Sequence, residues 1–137
     1  MEAGSVYKTF SRNRTMEELL YNTSLWKAEF DFIISELAFI KRLIKAYPFT
    51  STIPNLYERL QLFTLELDNF EKERIILTEK IDSYRLQVIK EPENTELESG
   101  HLNLLAYENL AEEIFMYLKH YKNLKIQIFE YISGLIK

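Results

Sequence analysis

Three long series of apolar residues, each stepping along the chain by alternating threes and fours, restrict this sequence to packed helices. The first runs Leu19, Trp26, Phe30, Ile33, Leu37, Ile40, Ile44, Tyr47, with Thr23 as its one polar step. The second runs Ile53, Leu56, Leu60, Phe63, Leu67, Phe70, Arg74, Leu77, Ile81, Tyr84, Val88, and Arg74 is its only charge. The third runs Leu97, Gly100, Leu104, Tyr107, Ala111, Ile114, Leu118, Tyr121, Lys125, Ile128, Ile132, Leu135. Such spacing lays one apolar stripe along a helix and suits shallow-angle packing, whereas a strand needs a period of two.

Punctuation between the series sets the element order. Thr15 with Glu18, and Thr95 with Glu98, read as capping boxes. Pro48 disfavours helix at Tyr47, Pro54 suits the first turn of the second helix, and Pro92 stops it. The spacing therefore predicts helices near 16–47, 53–91 and 96–136. Short links make neighbours antiparallel, so the fold class is all-α, an up-down-up three-helix bundle with long coiled-coil-like helices. Helix one opens with Glu17 and Glu18 and closes with Lys41, Arg42 and Lys45. Helix three opens with Glu108, Glu112 and Glu113 among others and later carries Lys119, Lys122 and Lys125. Both layouts complement the helix dipole and give the bundle an acidic half and a basic half.

At 137 residues the chain has the length of one domain, expected over 15–137, with residues 1–14 as a flexible N-terminal arm. The arm has no apolar core of the kind a signal peptide needs, and no apolar run approaches the ~20 residues of a membrane span. A net charge of −4 gives no reason to expect nucleic acid or an anionic membrane as partner. With no cysteine there is no disulfide framework or thiolate chemistry, which suits the cytoplasm.

Catalytic and metal signatures are thin. Glu98-Ser-Gly-His101 matches one Glu-x-x-His pair, but a di-metal bundle needs two, and Tyr117 stands three before His120, the only other histidine. No metal, cofactor or catalytic residue is expected. The charges inside the seams carry the alternative reading, a ligand-binding or enzymatic bundle with a charged site around Arg74. Folding the chain about residues 50 and 93 brings Arg74 level with Trp26, with Glu29 or Glu112 as carboxylate. It puts Lys125 level with Gln61 and Ile40, some ~20 Å away at 1.5 Å per residue.

Apolar surplus outside the seams is the more unusual feature. Leu25, Phe32 and Phe39 recur every seven residues on one flank of helix one, and Leu62, Leu65, Ile76, Leu86 and Ile89 form a broken outer set on helix two. Helix three carries Leu110, Tyr117, Leu124 and Tyr131 on one flank and Phe115 and Phe129 on the other. A helix packed against two others needs a wide face, but outward residues on helices one and two imply an interaction surface. The expectation is a non-catalytic interaction or scaffold protein that self-associates as a dimer or binds a helical partner. Three long heptad helices with a tryptophan in the first resemble a spectrin-type repeat in architecture. There is no tandem repetition and no matching tryptophan in helix three, so no residue role carries over.

Overall fold

The computed structural model describes residues 16–46, 53–90 and 97–135, and within 97–103 the backbone alone. It contains α1 (Met16–Ala46), α2 (Leu56–Lys90) and α3 (Leu97–Leu135), with no strand among the described residues. At 1.5 Å per residue the helices are roughly 45–60 Å long. Residues 1–14, expected as an arm, and the cap residues Thr15 and Thr95 lie outside the described residues.

The start of α2 departs from expectation. Pro54 belongs to a turn before the helix rather than to its first turn. Asn55 has φ of 57°, a left-handed geometry that Asn tolerates better than most residues. Its carbonyl accepts the Arg59 N–H at 3.0 Å, the first bond of the helical ladder, so Asn55 occupies the N-cap.

The seams become the core. Phe30, Ile33, Leu37 and Ile40 of α1, Leu60, Phe63, Leu67, Leu77 and Ile81 of α2, and Ile114, Tyr121, Ile128 and Ile132 of α3 are all buried. Trp26, Ile53, Phe70, Ala111 and Leu118 are partly buried against them. On α3 the flank of Leu110, Tyr117 and Leu124 is buried as well, because it faces α2, where Tyr117 packs on Phe70. Thr23, the polar step of the first seam, is fully buried for a reason. Its hydroxyl donates to the Leu20 carbonyl at 2.6 Å and accepts from the Arg85 guanidinium at 2.5 Å. Arg85 also donates to the Leu20 carbonyl at 2.9 Å, tying α2 to α1 through a polar step of the seam.

Helix α2 lies lower along the bundle than folding at the link midpoints implies. Lys27 pairs with Asp82 at 2.6 Å and Lys41 pairs with Asp68. Arg74, eight residues before Asp82, is therefore level with Ser35 and Glu36 and not with Trp26. The first turns of α2 extend toward the end of α3, where Phe63 meets the Tyr131 ring at 5.7 Å and the Arg59 guanidinium lies 5.5 Å from it. The parallel helices α1 and α3 keep the expected alignment: Asn22 donates to the Tyr107 hydroxyl at 3.0 Å and Tyr121 reaches Glu36. No described helix is long and apolar enough to cross a membrane.

Candidate interaction surface and central polar cluster

The register just described separates the residues grouped around Arg74. Trp26 stacks on Tyr107 with centroids 5.3 Å apart, a contact between α1 and α3. Glu29 and Glu112 are exposed, on the α1–α3 groove and the α2–α3 groove respectively, so neither is a buried partner for Arg74. Arg74 is half-buried near the Tyr117 phenol, and its charge only partly offsets the rise that burial imposes on that phenol. Its Nε is buried with no hydrogen-bond partner.

A different carboxylate holds the middle of the bundle. Glu36, beside the α1 seam, accepts from the Tyr121 hydroxyl at 2.8 Å and pairs with Lys125 at 2.9 Å. The Lys125 ammonium lies 5.0 Å from the Tyr121 ring, so its charge is met by both a carboxylate and an aromatic face. With the side chains of Glu36 and Lys125 only 19% and 24% exposed, this is an inward polar link between α1 and α3. Tyr121 stacks on Tyr117 at 6.3 Å, and the Tyr117 hydroxyl donates to the Phe70 carbonyl at 2.9 Å. Burial first, then the bond to Glu36, raises the Tyr121 phenol well above its ordinary range; burial does the same for Tyr117 and Tyr84. Arg74 and Lys125 now stand little more than one helical turn apart along the bundle, roughly 7 Å, closer than link-midpoint folding implied. The Lys125 charge is already engaged by Glu36.

The alternative built on Arg74 yields a sharp test. Its aliphatic stem covers core surface, while its guanidinium is partly desolvated with one nitrogen orphaned. Arg74→Ala is expected to cost about 1–2 kcal/mol through lost packing, and Arg74→Met to be near neutral. Denaturation midpoints compare them directly. Equal losses in the two variants would mean that the charge itself contributes.

Outside the core, Leu25, Phe32 and Phe39 are 46%, 64% and 54% exposed, and Phe115 and Phe129 are 64% and 40% exposed. These two sets belong together. Leu25, Trp26 and Glu29 of α1 and Phe115 and Leu118 of α3 line one groove of about 390 Å³, where the two helix backbones approach less closely than either approaches α2. Phe32 and Phe39 continue the α1 rim at heptad spacing, and Phe129 lies two heptads beyond Phe115 on the α3 rim.

The outer residues of α2 are exposed too: Leu62, Leu65, Ile76, Leu86 and Ile89 lie between 52% and 59%. They do not share a line. Counted in the heptads that keep both Leu60 and Val88 buried, Leu86 stands three residues off the Leu62 line, about 50° round the helix. Ile76 sits in the α2–α3 groove beside the Lys80–Glu113 ion pair of 3.0 Å. The exposed apolar residues that border one groove are thus those of α1 and α3. Heptad spacing exposed each rim in the sequence; that both rims border one groove needed the helix packing.

No three potential metal ligands converge among the described residues, and the Glu98 and His101 side chains lie outside them. Comparison of the chain with known protein families, curated proteins and solved structures finds no match. The architectural likeness to spectrin-type repeats therefore carries no argument.

Proposed function

We infer that this chain is a non-catalytic helical interaction or scaffold protein that acts by self-association through its exposed apolar helix faces. One observation carries the reading: outside a well-filled core, Leu25 and Phe115, 46% and 64% exposed, line the α1–α3 groove, and the exposed Phe32, Phe39 and Phe129 extend the same rims at heptad spacing. Burying each contributes roughly 1.5–3 kcal/mol against water before the entropy of association is subtracted. A dimer is the commonest assembly that covers such a patch, with a helical segment of another protein as the alternative occupant. The acidic balance of the chain supports protein partners over nucleic acid, and the lack of cysteine supports a cytoplasmic setting.

A second reading, a ligand-binding or enzymatic bundle around Arg74, has the unpartnered Arg74 Nε in its favour. The groove at that level, lined by Glu73, Leu77, Tyr117 and His120, is an open channel between α2 and α3. Light scattering coupled to size exclusion tests the first reading. A particle heavier than the 16.4 kDa chain is expected at tens of micromolar, and a single-chain mass there would contradict it.

A further inference from the structure

We propose that the α1–α3 groove is the contact face of an antiparallel two-fold homodimer, with Phe32 on or beside the two-fold axis. The proposal rests on the self-association reading and specifies its geometry.

Three observations converge on this occupant. First, the α1 rim is symmetric in sequence: Leu25 and Phe39 stand seven residues either side of Phe32. A perpendicular two-fold through Phe32 therefore sets Phe32 against its own copy and Leu25 against Phe39 of the second copy. Isologous contacts of this kind are self-complementary by construction.

Second, the charges on this face are divided along its length. Glu29 and Glu108 lie toward the start of α1 and α3, while Lys122 lies toward their ends. Tyr121 reaches Glu36, so Lys122 stands about four residues past the level of Phe32. The two-fold sets α3 against α3 of the second copy, so Lys122 falls before the Phe32 level there, about one helical turn from Glu108. At the bundle ends Glu17 of one copy comes level with Lys45 of the other, and both are exposed. A parallel arrangement would stack acidic half on acidic half and basic half on basic half, so the charges select the antiparallel one.

Third, the size fits. Taking a whole aromatic side chain as ~200 Å², the five rim residues expose on the order of 500 Å² per copy. Trp26, Leu118 and the side chains between them bring the face near the ~800 Å² per partner of a stable interface. The Glu36–Lys125 link and the Trp26–Tyr107 stack hold the two rims in fixed relation from behind.

Because the chain has no cysteine, single introduced cysteines report the geometry without background. Phe32→Cys is expected to form a covalent dimer under mild oxidation. Leu25→Cys alone is not, because two such sites would lie ~21 Å apart, whereas a disulfide needs Cα atoms within ~7 Å. An equimolar mixture of Leu25→Cys and Phe39→Cys should give the mixed dimer. Leu25→Cys linking to itself as readily as to Phe39→Cys would overturn the antiparallel geometry. A wild-type mass of two chains with none of these pairs linking would place the interface elsewhere, sinking the proposal while leaving self-association standing. A single-chain mass would sink both.

Discussion

Tyr117→Ala is expected to lower folding stability by about 3–5 kcal/mol, the cost of removing a large buried aromatic side chain. The ring is 1% exposed and stands where all three helices meet. It packs edge-on to Phe30 of α1 at 5.5 Å and to Phe70 of α2 at 5.5 Å, and stacks on Tyr121 at 6.3 Å. Its hydroxyl bonds the Phe70 carbonyl, a group that the α2 ladder also uses, so Tyr117→Phe should cost only about 1 kcal/mol. Urea denaturation at fixed protein concentration separates the two variants, concentration mattering because association stabilises the folded chain. A loss below ~1 kcal/mol for Tyr117→Ala would show that α3 presents a different face to its neighbours.

The same tyrosines set a large pH dependence. Tyr84, Tyr117 and Tyr121 all have phenols pushed above their ordinary range, chiefly by burial. In the unfolded chain a phenol ionises near pH 10, while in the folded chain these stay protonated above it. The unfolded state then binds fewer protons, so stability is fully present below about pH 10 and falls as the pH rises beyond it. With the unfolded phenol half ionised at pH 10, each contributes about 1 kcal/mol between pH 10 and 11, so three give roughly 3 kcal/mol. Tyr84→Phe should flatten this limb. It should also cost little at neutral pH, because the Tyr84 hydroxyl is buried without a hydrogen-bond partner. Thermal melts followed by circular dichroism from pH 8 to 11.5 check this, and a flat profile through pH 11 would contradict it.

Much of the fold was legible because core positions repeat at helical spacing and only one period fits them. The buried residues from Leu19 to Ile44 and from Leu56 to Val88 fall on the two seams read from the sequence. The level of α2 was not legible. A seam matches itself after a shift of one heptad, and link length does not say how far a helix slides before it packs. What fixes the level is the set of cross-helix pairs, Lys27 with Asp82 and Arg85 with Thr23, whose members are unremarkable in isolation. The same shift moved Arg74 from Trp26 to Tyr117 and left Glu29 and Glu112 exposed. Glu36 carries no signal in the sequence because it flanks the seam instead of interrupting it. Lys125, read as a charge within the third seam, was the visible half of that pair.

The exposed residues of α1 were legible as a surplus, since no intramolecular seam needs Leu25, Phe32 and Phe39. Whether they serve association is decided most directly by mass. Light scattering across a dilution series is expected to give twice 16.4 kDa for the wild-type chain at tens of micromolar. Phe32→Glu should reduce that to one chain, because it sets two carboxylates against each other at the proposed axis, while Leu86→Glu on the outer side of α2 should leave it unchanged. A single-chain mass for the wild type, or a two-chain mass that survives Phe32→Glu and is lost with Leu86→Glu, would contradict an α1–α3 interface.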